Sequence, residues 1–416
     1  MKTSLFLIAV EIIVKRLFSL DYKWNARQRP EDFSRKGKIG FVNIIAITLN
    51  FLKKSIQQEL RDFFSRVRHE DIRVSKQAYL EARYKLKPDA FSILLDDTME
   101  LAAHTPEMKM FHGFRVLAID GSLLNLEDTP ALRGHFGTNN DCAAARISAV
   151  ADVLNEGIYL DAQIGKTTVS EKDYALLHHL KIAAYNIEKP VLLYDRGYAS
   201  AEMFSDLLDK KLRFVFRLKR KFNHQIDQLP IGDHTVTVVV KRKVFTLRVV
   251  KFRLKSGVIE TLVTNLTPEE MPAELFPELY NLRWGVETAY RSVKKTLQLE
   301  NFSGTSPLFV KQDFFAIMFL KNMAAFAKWD TNKTISETEN KDNKYLQKTN
   351  ENLLVGDLKD KLIIAMLESN PIVRAKLILD IIQEATRNKI PIRPGRSFPR
   401  KRKHSKRFHN SGKSAL

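Results

Sequence analysis

Two short apolar runs constrain this chain more than any other feature. FRVLAIDGS (114–122) and PVLLYDRGY (190–198) are each aliphatic and rich in strand-forming residues, and each ends on an aspartate with a glycine close behind. A run that is apolar at every position, not at alternate ones, reads as a strand buried on both faces, and such strands need helices packed above and below the sheet. The segments between them supply the rest. ARISAVADVLN (145–155) and GIYLDAQIGK (157–166) read as a hairpin turning at Asn155-Glu156-Gly157. DYALLHHLKIAAYNI (173–187) reads as a helix with Ser170 placed to cap it, SAEMFSDLLDKKL (200–212) as a second helix, and RFVFRLK (213–219) as a further strand. A meander followed by helical crossovers predicts an α/β fold on a mixed sheet.

The flanks have other textures. The first hundred residues read as helical and basic. In VSKQAYLEARYKLKP, Ser75 is a candidate N-cap and Pro88 a stop, and the polar face carries Lys76, Gln77, Arg83 and Lys85. A short basic helix following another helix suits a helix-turn-helix on DNA, and a plain solvated face suits it equally. Between 220 and 260, HTVTVVVKRKVFTLRVVKFRL predicts two or three basic strands, a β-rich insertion in the α/β pattern, and TLVTNL (261–266) returns to the sheet. Thr267-Pro268-Glu269-Glu270 has the form of a capping box with Pro at the first helical position. Further on, SPLFVKQDFFAIMFLKNMAAFAKW (306–329) predicts a buried helix, the polar run 330–352 a loop, and 353–369 and 372–386 two more helices. Residues 388–416 carry ten Lys or Arg and no acid, a composition suited to a phosphate backbone.

Charge narrows the partner. The 68 Lys and Arg outnumber the 48 Asp and Glu, giving +20, which points to a polyanion and to nucleic acid ahead of an anionic membrane. Cys142 is the single cysteine, so no disulfide forms within the chain, and a reducing, cytoplasmic setting is expected. The opening MKTSLFLIAVEIIV is broken by Glu11 and lacks a small-residue cleavage site, and 39–52 is too short and too rich in Asn to span a bilayer. No membrane partner is expected.

The chemistry starts from Asp120 and Asp195. In open α/β sheets, strand ends meet at the functional edge, so neighbouring strands would bring the two carboxylates within reach of one divalent cation. A third acid is offered by PELYNLRWGVETAYRSVKKTL. Taken as a continuous helix with Tyr280 at zero, Arg283 falls near 300°, Glu287 near 340° and Lys294 near 320°, while Leu282, Val286, Ala289, Val293 and Leu297 fall at roughly 180° to 260°. A stripe with one carboxylate between two cations suits metal and phosphate, although Arg283 and Glu287 at i, i+4 also make an ordinary surface ion pair.

Tyr280-x2-Arg283-x3-Glu287-x6-Lys294 resembles the signature of a large group of bacterial insertion-sequence transposases of the DDE type, and Asp120 in AIDGS and Asp195 in YDRGY resemble that group's first two acids in order and setting. The likeness runs over roughly residues 70–305, with SKQAYLEAR before the core and LENFSG (299–304) after it. It implies a ribonuclease-H-like mixed sheet with a β-rich insertion. The implied division is a helical DNA-binding region over 1–105, a catalytic domain over 110–305 with its insertion at about 220–260, a helical region over 306–387 and a basic tail over 388–416. It implies two Mg²⁺ or Mn²⁺ ions on Asp120, Asp195 and Glu287, phosphate contacts from Tyr280, Arg283 and Lys294, double-stranded transposon ends and target DNA as partners, and a homodimer on paired ends. Cut-and-paste transposition is the implied reaction. A non-catalytic DNA-binding regulator and a metal nuclease without strand transfer are the competing expectations.

Other residues carry weaker signals. The resemblance also implies a flipped base stacked on an aromatic residue of the insertion, which here has no Trp, so either Phe222, Phe245 or Phe252 serves or the step differs. Trp284 falls at about 40°, near the polar stripe, where it suits stacking on DNA, and local packing is the expectation preferred. His178 and His179 read as ordinary helical residues, Asp161 as a weak candidate to line a site, and Arg196 and Tyr198 as neighbours of Asp195.

Overall fold

The computed structural model describes residues 4–35, 37–50, 55–291, 293–294, 297, 299–338 and 343–393. The chain divides into two compact units. One is Ala102–Leu123 with Arg146–Tyr290, and the other is Met1–Leu101 with Leu124–Ala145 and Arg291–Leu416.

The strands in chain order are β1 (Arg115–Asn125), β2 (Thr138–Asn139), β3 (Cys142–Asp152), β4 (Ile158–Gly165), β5 (Pro190–Tyr194), β6 (Arg213–Arg217), β7 (Gly232–Val240), β8 (Lys243–Arg253) and β9 (Ile259–Thr264). The first unit holds a mixed sheet in the order β3-β1-β5-β6-β9-β8-β7, with β4 pairing to β3. β5 is parallel to both β1 and β6, and the helix Ala201–Asp209 makes the crossover from β5 to β6. All five residues of β5 and the first five of β1 are buried, as continuous apolar runs require. Buried Arg115 anchors the start of β1. Its Nε donates to Asp152 at 2.7 Å, and its two terminal nitrogens donate to the carbonyls of Ala102 and Ala103. The β3–β4 hairpin turns at Glu156 and Gly157, both with positive φ. The helix Glu171–Tyr185 opens on the expected cap, with Ser170 and Asp173 completing a reciprocal capping box.

The basic strands after 230 continue the sheet. β9 runs antiparallel to β6, β8 to β9 and β7 to β8. Their hairpin turns on Lys241 and Arg242, both at positive φ without the Asn or Gly that usually marks such a turn. Thr267 and Glu270 do exchange the two bonds of a capping box, but the segment closes as a turn. The helix begins only at Phe276, after a 3-10 turn over Ala273–Leu275.

The other unit is helical. Leu5–Leu17, Phe41–Leu49, Ile56–Asp62 and Lys76–Tyr84 pack in the same unit as Pro307–Thr338, Glu351–Leu367 and Pro371–Arg387. The long helix continues nine residues past Trp329, through a run that reads as a loop in sequence, because Asp330, Thr331 and Ile335 are buried. Asp330 accepts from the Ser4 hydroxyl and from the backbone N–H groups of Leu5 and Phe6, so the first helix starts on a carboxylate from the far end of the chain. Arg83, expected on a polar face, is instead fully buried. It pairs with Asp313 at 2.9 Å and donates to Gln312 at 2.9 Å and to Ser303. Lys76, Gln77 and Lys85 are exposed as expected. The fragments SKQAYLEAR and LENFSG thus meet through Arg83 and Ser303. Residues 394–416, most of the basic tail, lie outside the described residues. Among the described residues no helix is long and apolar enough to cross a membrane.

Candidate active site

The register of β1 and β5 pairs Ala118 with Leu193. Two residues further along each chain stand Asp120 and Asp195, so the two carboxylates leave adjacent strands at the same edge, where neighbouring strands lie about 4.8 Å apart. Both are half-buried. Burial pushes the Asp120 carboxyl up to about 6. The Gly121 N–H and the Arg283 guanidinium oppose that rise, and Glu171 and Glu287 add to it by repulsion.

Glu287 is carried on the helix Trp284–Arg291. The 276–291 stretch is not one regular helix. A first helix ends at Asn281, and the N–H groups of Leu282, Arg283, Gly285 and Val286 each bond three residues back, so the chain is tightened between the two halves. Glycines let the second half approach the β3–β4 turn closely. A Cβ on Gly285 would lie 2.8 Å from the Val153 Cβ, and one on Gly157 would lie 3.0 Å from the Ala289 Cβ. The Arg283 guanidinium is buried, donates to Glu287 at 3.1 Å and lies in the field of both Asp195 and Asp120. It is the cation among these acids.

Two tyrosines of this stretch are committed to main chain. Tyr280 donates to the Tyr194 carbonyl at 3.1 Å, and Tyr290 donates to the Asp120 carbonyl at 2.9 Å. Lys294 lies beyond the boundary at Tyr290, in the helical unit, where burial lowers its pKa and Glu300 opposes that fall. Tyr280, Arg283 and Glu287 therefore share a unit with both aspartates, and Lys294 belongs to the other.

One neighbour of Asp120, Glu171, carries no mark in the sequence. Glu171 opens a helix, as many acids do, yet its side chain packs against Gly121, with Cγ 2.7 Å from where a Cβ would sit, and pairs with Arg146 at 2.8 Å. His178 and His179 are buried residues with defined partners. His178 Nδ1 is 2.6 Å from Asp161 and its Nε2 is 2.9 Å from Ser148, while His179 reaches Asp206 at 2.6 Å and the Tyr194 hydroxyl at 2.5 Å. Burial opposes ionisation of Asp161, but His178 and Lys181 hold its carboxyl down at about 2. Phe222 and Phe245 are packed edge-on against Phe204, inside an aromatic cluster. Trp284 is 45% exposed and lies under the Arg283 guanidinium, 4.8 Å from its ring centre.

Three carboxylates are hard oxygen donors of the kind that hold Mg²⁺ or Mn²⁺. The buried Tyr198 hydroxyl, in the field of Asp120 and Asp195, and the buried Nε of Arg283 have no hydrogen-bond partner among the described residues. The chemistry of the donors fits a divalent cation. Among the described residues, however, no three His, Cys, Asp or Glu side chains are drawn together closely enough to hold one.

The fold and this edge define a mixed α/β protein with two carboxylates just past the point where two parallel strands stop pairing, and a third acid on a helix. β1 itself runs on beyond Asp120, where the sequence reads as a strand end, to Asn125. The family model described as "Transposase DDE domain" matches residues 112–323, half of the chain and the whole of that edge, and the chain belongs to this family. Transposase InsG for insertion sequence element IS4, from Escherichia coli (strain K12), is 23% identical to it over 273 residues, 61% of this chain and 61% of that protein. The chain thus spans less than two thirds of the length of that curated relative. Among solved structures, the cryo-EM structure of the piggyBac transposase synaptic complex with hairpin DNA is similar with a TM-score of 0.45 and 12% identity, over 91% of this chain and 80% of that one.

Proposed function

We propose that the chain is the transposase of an insertion sequence, of the group bearing the Tyr-x2-Arg-x3-Glu-x6-Lys signature. In this reading it binds the terminal inverted repeats of its element as a homodimer, cuts the DNA there and joins the freed end to a target. The observation that carries the reading is the parallel pairing of β1 with β5, whose register runs to two residues before Asp120 and Asp195. The strand order, a hairpin leading into parallel strands with helical crossovers, supports a ribonuclease-H-like core.

Asp120, Asp195 and Glu287 would hold two divalent ions, Mg²⁺ or Mn²⁺. When bound, such ions supply Lewis acidity to the attacking and leaving oxygens of an in-line phosphoryl transfer. The protein's own groups do the rest. Arg283, beside all three acids, is placed to meet the negative charge of a phosphate, as Lys294 is by the signature. Exposed cations such as Lys76 and Lys85 in the helical unit suit backbone contacts that fix position along DNA.

Asp120→Ala, Asp195→Ala and Glu287→Ala should each abolish Mg²⁺-dependent nicking of inverted-repeat DNA while gel-shift affinity for the same DNA is retained. Continued cutting by all three variants would sink the reading. Wild-type protein that shifts the DNA and never nicks it would instead identify a regulator.

A further inference from the structure

The two tyrosines flanking Glu287 hold the same kind of partner. The Tyr290 hydroxyl donates to the carbonyl of Asp120 itself, and the Tyr280 hydroxyl donates to the carbonyl of Tyr194, the residue before Asp195. Both side chains are buried, at 6% and 5% exposure. A phenol has one hydrogen to give, and in each case it goes to main chain of an acid-bearing strand. The Ser148 hydroxyl also reaches the Asp120 carbonyl, at 3.3 Å, and its single hydrogen is within reach of His178 Nε2 at 2.9 Å as well. Of these two side chains, Tyr290 is the closer and less divided donor.

We propose that Tyr280 and Tyr290 are positioning residues that fix the helix bearing Glu287 in register with β1 at Asp120 and with the end of β5. The proposal rests on the reading of Asp120, Asp195 and Glu287 as metal-holding carboxylates. The close approaches at Gly285 and Gly157 set how near the helix lies to the β3–β4 turn. Packing of that kind leaves sliding along the sheet less restrained than separation from it, and directional bonds at two points remove that freedom. One bond ties Glu287's helix to the first acid's strand and the other ties the preceding half-helix to the second's. The tightened turn at Leu282–Arg283 brings the two hydroxyls, ten residues apart in sequence, onto adjacent strands. This gives Tyr280 a part other than the phosphate contact that its place in the signature implies.

The test uses full-length Tyr280→Phe and Tyr290→Phe, with Mn²⁺ binding followed by electron paramagnetic resonance in the absence of DNA, alongside melting temperature, inverted-repeat affinity and single-turnover nicking. Removing outer partners of metal ligands typically weakens metal affinity by about 10-fold or more, so each variant should bind Mn²⁺ about 10-fold more weakly, with DNA affinity and melting temperature near wild type. Nicking should recover at high Mn²⁺. Unchanged Mn²⁺ affinity in both variants overturns the proposal, as does a loss of DNA affinity in Tyr280→Phe, which would return that hydroxyl to phosphate. If one variant fails to fold, the other carries the test, and if both fail the hydroxyls serve stability and the proposal falls. Asp120→Ala separates the two levels. If it retains full Mn²⁺ binding, the metal reading itself fails. If it loses Mn²⁺ while the phenylalanine variants keep wild-type affinity, only the positioning role fails.

Discussion

Asp120 is held at a cost that depends on pH. Its carboxyl is raised from 3.8 to about 6, chiefly by burial, so the folded chain keeps that proton to higher pH than the unfolded chain does. The associated stability is fully present below pH 4 and is lost as pH rises through 6, to a limit of about 3 kcal/mol. Asp120→Asn in EDTA should therefore be more stable than wild type at pH 7.5, by up to about that amount, with the advantage shrinking to nothing near pH 4. Urea midpoints measured across that range check it, and a gap that does not change with pH would refute it. At this scale the sequence was informative where chemistry and chain position coincide. Asp120 and Asp195 stand out because each ends an apolar run. Glu171 does not, because an acid at the start of a helix is ordinary until tertiary packing sets it against Gly121. The burial of Arg83 was hidden for the same reason, since its partners lie more than 200 residues away.

The helix pair around Leu282 and Arg283 shows what periodicity reads and misses. A uniform turn of 100° per residue places Tyr280, Arg283, Glu287 and Lys294 on one stripe. Bonds of the three-residue kind wind the chain by about 120° per residue, and the stripe is broken there. Most of the apolar side survives the break, with Val286, Ala289, Val293 and Leu297 buried, while Leu282 at the break itself is half-buried. Strands were more legible than helix starts. Buried runs have no alternative use, whereas the Thr267 box satisfies its own bonds and still opens no helix. Gly285 is the sensitive point of this element. Gly285→Ala puts a methyl 2.8 Å from the Val153 Cβ, and overpacking of that sort costs about 1–3 kcal/mol. The same displacement should lower nicking by at least about 10-fold, since small misplacements of reacting groups cost as much as 100-fold. Nicking rates compared with melting curves measure both, and full activity in this variant would mean that the helix tolerates a shift.

The helical unit is assembled from segments far apart in the chain. Asp330 starts the first helix, Arg374 pairs with Glu11 at 2.6 Å, Lys359 pairs with Glu59 at 3.0 Å, and Asp313 with Arg83 at 2.9 Å. Breaking a buried pair by removing one partner costs about 3–5 kcal/mol, so a fragment of residues 1–105 alone should not fold. Limited proteolysis should digest that fragment at a rate typical of unfolded chain, and a protease-resistant fragment would contradict this account. The sequence expectation of a separate helical region at each end had no access to such pairings, because nothing local in Glu11 or Arg83 names a partner so distant. The Arg83–Asp313 bond also sets a timetable. Its partners are 230 residues apart, and at the roughly 5–20 residues per second of protein synthesis the second follows the first by roughly ten to fifty seconds. Throughout that interval the helix carrying Arg83 lacks the carboxylate it will close upon, so a segment made earlier waits on one made much later to be finished.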